Sequence, residues 1–298
     1  MTDSESAWTI RRILVALDAS AHSLAAVEAA VELAARLEAE LLGLFVEDVD
    51  LLRFAESPCA REILYASAKD APLSRATMES RLRAQCEQAR KALSAAAARL
   101  QVPWSFRSVR GRVTPEILAA AAEVDLLALG NIGWSFGPPV RMGSTALEAA
   151  TSSIPVLLVS ERGLPREVNL AVYYDGSTAA KRSLLAAAQL ARTGANATTV
   201  LLAPRARGRS AAMRDDVAAL LEGKGVEVRF RELDPNDEMS LFRTLKAEPP
   251  GTLLLGGRDL LKKLQAAGIS QREIEMPMLL LADGESSEVE PKPEPQAR

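Results

Sequence analysis

Residues 11–20, RRILVALDAS, form a short apolar run with β-branched members that ends in an Asp and a Ser. The Ala-rich segment that follows places Val27, Val31 and Ala34 four and three residues apart, on one face of a helix. Together they predict a strand, a turn and a helix that covers a sheet. Glu40 to Val46, ELLGLFV, is too fully apolar for one face to meet water, which is typical of a parallel strand covered on both sides.

Further strand and helix patterns complete a first unit. Trp104 to Arg110 predicts a third strand and Thr114 to Glu123 a helix, while Val124 to Leu129 and Ile154 to Val159 predict the fourth and fifth strands. The longer crossover, Asp48 to Leu100, contains a charged amphipathic helix, and we interpret it as a helical excursion that caps the sheet edge in preference to a regulatory or partner surface. Strands that alternate with helices predict a doubly wound α/β fold with right-handed crossovers.

The order of elements then restarts after a charged linker that contains Gly and Pro. Val168 to Tyr174 followed by Asp175-Gly-Ser177 mirrors Ile13 to Leu17 followed by Asp18-Ala-Ser20, and an Ala/Leu-rich helix comes after each. Self-similarity at this scale predicts an internal repeat.

The repeat predicts two doubly wound, Rossmann-like five-stranded parallel sheets in tandem. They occupy residues 10–161 and 167–283, and residues 285–298, acidic and rich in proline, are predicted to be a disordered tail. The remaining strands of the second copy are predicted at Thr198–Ala203, Val226–Leu233, Thr252–Leu255 and Met278–Ala282.

Composition excludes several classes of protein. The 298 residues are 48% hydrophobic and 25% charged, which is globular and long enough for two domains. A net charge of −3 gives no attraction to nucleic acid. Cys59 and Cys86 are too few for a disulfide framework, and we expect reduced thiols. No run approaches the roughly 18 apolar residues of a membrane span, and Met1 to Thr9 has no apolar signal region, so we expect a cytoplasmic protein.

The sharpest local signal is the glycine loop, residues 130–144, GNIGWSFGPPVRMGS, which leaves the fourth strand and enters a helix. Gly130, Gly133 and Gly143 let the backbone approach an anion, and the unpaired N–H groups of the helix start point at it. Ser144 either caps that helix or donates its hydroxyl to a phosphate oxygen. The Pro-Pro pair interrupts any regular helix, so we expect a looped segment that wraps a triphosphate.

Asp18 is the second half of the predicted site. In an open doubly wound sheet, the ligand crevice lies beyond the carboxyl ends of the strands where their order reverses. Asp18 then faces Gly130, placed for a ribose hydroxyl or a phosphate-bound Mg²⁺, although an Asp before a Ser is also an ordinary helix cap. The end of the second strand, Phe45 and Val46, is predicted to contact the adenine face.

These residues resemble the universal stress protein family, whose ATP-binding members carry G-x2-G-x9-G followed by Ser or Thr after the fourth strand and an Asp after the first. The resemblance implies an adenine nucleotide alpha hydrolase-like fold and ATP as ligand, with or without Mg²⁺. The residues onto which it maps an ATP site are Ala16, Leu17, Asp18, Val46, Gly130, Asn131, Gly133, Arg141, Gly143, Ser144 and Thr145.

The chain departs from the family pattern in two places. Between Gly133 and Gly143 it has Gly-Pro-Pro where family members often have a helical turn with basic residues, so that Arg141 remains as the candidate phosphate partner. In the second copy, Gly256-Gly-Arg-Asp259 is followed by no later Gly-Ser before Met276, so we expect a degenerate second site in which Asp175 caps a helix.

The resemblance implies a nucleotide-dependent stress-response or signalling protein that hydrolyses ATP slowly at most. The sequence offers no general base beside the loop and no Walker lysine, and we expect its one histidine, His22, to face solvent without catalytic duty. Because single-domain family members pair as dimers, the resemblance implies that the two halves of the tandem chain pair with each other. A homodimer of whole chains and an unidentified protein partner are further possibilities that the resemblance leaves open.

Two other functions stay open. One is an adenine-nucleotide hydrolase of the related pyrophosphatase-like fold, but those enzymes carry an SGGxDS-type loop where this chain has Ala16-Leu-Asp-Ala-Ser20. The other is a nucleotide-free scaffold that binds a protein through the Asp48 to Leu100 crossover.

Overall fold

The structure, a computed structural model, contains a ten-stranded sheet, a two-stranded hairpin and seven helices among the residues that it describes. The described residues are 9–18, 20–57, 61–64, 69–130, 145, 148–149, 154–160, 163–164, 169–192, 197–204, 208–237, 239–247, 251–257 and 276–281. The predicted tail therefore lies outside them, as does Cys59, whereas Cys86 is a free thiol.

The elements fall into two halves. The strands of the first half are β1 (Arg12–Leu17), β2 (Glu40–Asp48), the hairpin β3 (Arg61–Leu64) and β4 (Lys69–Pro72), β5 (Trp104–Gly111), β6 (Leu126–Gly130) and β7 (Val156–Val159). Its helices are α1 (Ala21–Leu37), α2 (Val49–Ala55), α3 (Arg75–Leu100) and α4 (Val113–Ala121). The second half contains β8 (Asn169–Tyr174), α5 (Thr178–Arg192), β9 (Ala197–Leu202), α6 (Ser210–Leu221), β10 (Val228–Glu232), α7 (Ser240–Ala247), β11 (Thr252–Gly256) and β12 (Met278–Leu281).

All ten predicted strands are present, and each half has the doubly wound order. The sheet runs β10-β9-β8-β11-β12-β7-β6-β1-β2-β5. Within each half every neighbouring pair is parallel, whereas β7 and β12 pair antiparallel. The two predicted sheets are thus one continuous sheet, since the last strand of each half has an unpaired edge that the other half covers.

Alternate residues of the strands enter two apolar cores, one on each face. Ile13, Val15 and Leu17 of β1 belong to the core that includes α1, α3, α5 and α6, while Leu14 belongs to the core that includes α4 and α7. Successive strand side chains point to opposite faces, so the nearly continuous apolar runs of the sequence cover both.

Polar residues at the helix ends explain where the helices begin and stop. Ser20 caps α1 and accepts a hydrogen bond from the backbone N–H of Ser23, and Ser74 caps α3 in the same way. Glu38 and Gln101 end these helices in the left-handed conformation, with φ of 53° and 56°. The predicted sheet-covering face of α1 is confirmed, because Val27, Val31 and Ala34 are buried.

The Asp48 to Leu100 crossover differs from its prediction. It does not cap the sheet edge, which β5 forms. Its long helix α3 instead packs on the face of the sheet, where Ala89 and Leu93 join the core beside α1. The prediction also missed the short helix α2 and the hairpin of β3 and β4, because the interrupted apolar pattern of this segment matches neither period.

The pairing of β7 with β12, which forms the seam between the halves, can be tested directly. Leu279 of β12 pairs with Leu157 of β7 and is 1% exposed, so Leu279→Ala is expected to lower the free energy of unfolding by about 2–4 kcal/mol. Urea unfolding followed by circular dichroism measures the change. Leu100→Ala, at a leucine that is 41% exposed, is the control and is expected to change it by less than about 0.5 kcal/mol. Equal small losses would mean that the seam does not form.

Candidate functional site

The site begins where β1 and β6 separate. Their pairing runs from Ile13 to Val15 and stops, although β1 continues beside β2 as far as Leu17, which pairs with Phe45. From β1 the strand order runs one way to β2 and β5 and the other way to β6 and β7, so this gap is the point where the order reverses. The crevice therefore lies at the carboxyl ends of β1 and β6, as the sequence predicts.

A cavity of about 580 Å³ fills this crevice. That volume is within the range of small-molecule sites in proteins. Its described lining residues come from the ends of β1, β2 and β6 and from α1, α2, α3 and α4, with residues 145 and 148 beyond the glycine loop. The apolar part is formed by Leu17, Leu44, Phe45, Val46, Leu51, Leu82, Val113, Ile117 and Leu129, and the polar part includes Asp18, Ser20, Gln85, Thr114 and Thr145.

The structure brings together every predicted site residue that it describes. These are Ala16, Leu17, Asp18, Val46, Gly130 and Thr145, and all of them line the cavity. The predicted phosphate contacts Asn131, Gly133, Arg141, Gly143 and Ser144 lie outside the described residues. Phe45 also lines the cavity, but with 2% exposure it presents little of its ring.

Asp18 takes part in the turn that leads into α1. Its Oδ1 accepts a hydrogen bond from the backbone N–H of Ser20 at 2.9 Å, and its own N–H donates to Ser23 Oγ at 3.4 Å. Ser20, not Asp18, is the helix cap. Asp18 therefore braces the turn and presents a carboxylate to the cavity at the same time.

Gly130 has a packing reason to be glycine. A Cβ at Gly130 would lie 2.8 Å from the backbone carbonyl of His22, so only a residue without a side chain lets α1 approach the end of β6. Gly256 stands in the same relation to Ala179 of α5, at 2.2 Å. Because the second copy lacks the rest of the motif, the first glycine belongs to helix packing. His22 itself is partly exposed.

The charge of the described lining is negative. Its carboxylates are Asp18, Asp48, Asp50 and Glu148, and Arg112 is its single basic side chain among the residues that the structure describes. Arg112 Nε lies 3.4 Å from Asp50 Oδ2, at the side of the cavity that α2 forms. A phosphate group here needs a further cation beyond Arg112 to balance the carboxylates. Among the described residues, no group of three His, Cys, Asp or Glu side chains is arranged to hold a metal ion.

Sequence reasoning missed the wall that α2 and α4 form. Asp48 and Asp50 come from the crossover, and Arg112 and Thr114 come from the start of α4. Asp48 and Asp50, at and just beyond the end of the second strand, were a usable signal, since residues at the carboxyl end of a parallel strand face the crevice. Nothing in the sequence around Thr114 marks it, because its place in the site depends on the tertiary packing of α4.

The second half repeats the backbone of the site but changes its side chains. Asp175 Oδ1 accepts from the N–H of Ser177 at 2.9 Å, the same turn that Asp18 makes. Tyr173 and Tyr174 stand where the first half has Ala16 and Leu17. Tyr173, at the position of Ala16, is the larger residue by a whole aromatic ring, and it packs against the core on the α4 and α7 face of the sheet.

The carboxylate of Asp216 joins three elements of the second half. The hydroxyl of Tyr174 in β8 donates to Asp216 of α6, and Lys181 of α5 lies 3.1 Å from the other oxygen of that carboxylate. Burial, and then the bond to Asp216, raises the pKa of Tyr174 well above its ordinary value. The bond from Tyr174 in turn holds the pKa of Asp216 below its ordinary value.

Comparisons with known proteins identify the family of the chain and support its fold. The sequence model of the Universal stress protein family matches residues 9–160, which is half of the chain. The chain belongs to the universal stress protein family. No curated protein matches the chain.

Two solved structures share the fold of this universal stress protein over nearly its whole length. A universal stress protein from Archaeoglobus fulgidus DSM 4304 is 16% identical, with 92% of this chain and 98% of that chain covered and a TM-score of 0.69. A functionally unknown protein from Pseudomonas aeruginosa PAO1 is also 16% identical, with 94% and 95% covered and a TM-score of 0.54. No helix in the described part of the chain is long and apolar enough to cross a membrane.

Replacement of Gly130 can show whether this glycine is needed for the packing of α1 apart from any contact with a ligand. The added methyl group of Gly130→Ala meets the backbone of α1, so we expect a loss of about 1–3 kcal/mol in the free energy of unfolding without any ligand present. Chemical denaturation measures it. Ser108→Ala on the exposed strand β5 is the control and is expected to stay within about 0.5 kcal/mol of the wild type. Unchanged stability of Gly130→Ala would contradict the packing role.

The raised pKa of Tyr174 predicts a loss of stability in alkali. An unfolded tyrosine ionises near pH 10, while folded Tyr174 keeps its proton beyond that, so its contribution is complete below about pH 10 and falls as the pH rises further. The wild type should lose stability more steeply above that pH than Tyr174→Phe does, in urea titrations at several pH values. If Tyr173→Phe flattens the slope equally, the assignment to Tyr174 is wrong.

Proposed function

We propose that the N-terminal half binds ATP in the cavity at the ends of β1, β2 and β6, and that the protein acts as a nucleotide-dependent stress-response or signalling protein. The observation that carries the proposal is the cavity of about 580 Å³ around which three separate segments meet. Asp18, Val46 and Gly130, predicted from different parts of the sequence, all line it.

The apolar wall suits the adenine ring. β2 extends beyond Phe45, where its pairing with β1 ends, so that Val46 lies past the end of β1 while still paired with Val109 of β5. The ring would lie against Val46, Ile117 and Leu129, which line the cavity. A purine also needs a few polar groups that fix its orientation, and backbone groups near the end of β2 can supply them.

The polar part suits the ribose and phosphates. Asp18 would accept hydrogen bonds from the ribose hydroxyls, and the glycine loop, which starts at Gly130 and leads to Thr145, would hold the phosphates. Since carboxylates outnumber Arg112 among the lining residues that the structure describes, the ligand that fits this charge is the Mg²⁺ complex of ATP in preference to the free tetra-anion. Oxygen donors of the Asp18 type are those that Mg²⁺ prefers.

The role we propose is binding rather than turnover, with slow hydrolysis at most. ATP in the first half would bias the surface that an unidentified protein partner recognises. The antiparallel pairing of β7 with β12 joins the two halves within one chain. We propose that this pairing takes the place of a dimer of single-domain copies, and that the protein is cytoplasmic and functions in this internally paired form.

Nucleotide content tests the proposal. Acid extraction of the purified protein and calorimetric titration with Mg-ATP are expected to show bound adenine nucleotide and saturable binding. Gly143→Val combined with Ser144→Ala is expected to abolish both, because bulk is added and a hydroxyl removed at the end of the loop. Wild-type protein with neither bound nucleotide nor measurable ATP affinity would favour the nucleotide-free scaffold. Rapid ATP turnover with a defined acceptor would favour the hydrolase.

The repeat supplies a matched pair of variants. Asp18→Ala is expected to weaken Mg-ATP binding roughly 10- to 100-fold, as expected for the loss of a hydrogen bond to a charged group. Asp175→Ala is expected to change binding by less than about twofold. Both carboxylates make the same 2.9 Å turn hydrogen bond, so the local structural cost of the two changes is alike. Equal losses of affinity from both variants would mean that the second half also binds nucleotide.

A further inference from the structure

The long helix α3 projects beyond the start of α1. Both helices run away from the carboxyl edge of the sheet, because α1 follows β1 and α3 precedes β5, and these strands are parallel. Ala92 and Ala96 of α3 line the same groove as Leu24 and Ala25 of α1. Gln85 comes seven residues before Ala92, about 10 Å along a helix axis, whereas α1 begins only three residues before Leu24. Gln85 therefore lies beyond the first turn of α1, on the level of the turn that precedes this helix.

Gln85 is a polar residue within an apolar stripe of α3. Leu82, three positions before it, and Ala89, four positions after it, are buried in the core that α3 shares with α1. Residues at these spacings lie on one face of a helix. Gln85 is half-buried and lines the cavity, and within the described part of the chain its amide forms no hydrogen bond. Because partly buried polar groups normally have partners, this amide is placed to bind a ligand.

Ion pairs hold the projecting turns of α3 against the sheet. Arg75 Nε lies 3.2 Å from Glu79 Oε1 within the helix, and Arg110 Nη1 of β5 lies 3.7 Å from the same oxygen. Arg110 Nη2 is also 2.7 Å from Glu47 Oε2 at the end of β2. Such a network restrains the helix more than an isolated surface pair does. Gln85 is thus carried by a wall that is ordered before a ligand binds, which lowers the entropic cost of the contact.

The chemistry of Gln85 complements that of Asp18, which braces the turn on the same level. A carboxylate only accepts hydrogen bonds, whereas an amide side chain donates through its NH₂ group and accepts through its carbonyl oxygen. A ribose hydroxyl has one proton to donate and lone pairs that accept. When it donates to Asp18, its lone pairs call for a donor, and the NH₂ group of Gln85 is a donor in the same cavity.

We propose that Gln85 is a specificity-determining residue of the cavity, and that its amide donates a hydrogen bond to a ribose hydroxyl of the nucleotide. The inference rests on the proposed ATP site and adds to it a contact from the crossover. With this contact the cavity prefers a ribonucleotide to a nucleotide that lacks the ribose hydroxyls. Helix α3 then takes part in the selection of the ligand as well as in the packing of the sheet.

The test compares ATP with 2′,3′-dideoxy-ATP by calorimetric titration of the full chain in Mg²⁺. Gln85→Leu keeps a side chain of similar size and removes the amide. It is expected to weaken ATP binding roughly 3- to 10-fold, as for the loss of a neutral hydrogen bond, and to change the affinity for the dideoxy nucleotide by less than about twofold.

Gln88→Leu is the matched control. Gln88 lies on the same helix, is exposed and is outside the lining of the cavity. Its replacement is expected to leave both affinities within about twofold of the wild type, as for an ordinary surface substitution.

The outcomes distinguish this inference from the proposed function. Unchanged ATP affinity in Gln85→Leu, or equal losses for ATP and the dideoxy nucleotide, would overturn the ribose contact while the ATP site stands. Wild-type protein that binds no ATP would overturn the site and the contact together. Urea unfolding checks that the variant is folded. Should Gln85→Leu fold poorly, Gln85→Met, which keeps an unbranched side chain, replaces it under the same comparison.

Discussion

A parallel sheet must be covered on both faces, and the rest of this structure follows from that constraint. The eight inner strands of the ten-stranded sheet are mostly apolar, and helices lie on the two sides, with cores on each face. A ligand then has access at the carboxyl edge, where β1 and β6 turn away from each other after Val15. A second constraint, the unpaired edge of the last strand in each half, brings the halves together, because β7 and β12 each cover the other's edge.

Repetition of the backbone did not preserve the chemistry of the site. Asp18 and Asp175 brace identical turns, and Gly130 and Gly256 admit the following helix in the same way. These shared features belong to the fold. The side chains at matching positions differ in volume and polarity, since Ala16 of the first half is replaced by the much larger Tyr173 in the second. The difference in nucleotide binding that we propose thus has a source apart from the glycine loop.

Most of the fold could be predicted because its signals are local. Each inner strand of the sheet is a short, mostly apolar run, and each major helix has an apolar face, so periodicity identifies them. The placement of Asp18 and Val46 in one crevice followed from strand order alone. The crossover was harder, since α2 and the β3–β4 hairpin are short and the apolar pattern of this segment matches neither the helical nor the strand period. Thr114 and Arg112 could not be predicted as cavity residues, because their place there depends on the tertiary packing of α4.

Local pattern in this chain specified the elements, the repeat and the residues around Asp18 and Gly130, because those depend on neighbours in sequence. Contacts between distant residues needed the folded chain. The union of two sheets into one, the hydrogen bond between the hydroxyls of Thr114 and Thr145, and the wall that α2 adds to the cavity join segments that no short-range rule relates. They arise when apolar faces and strand edges are buried together, and burial is a property of the whole fold.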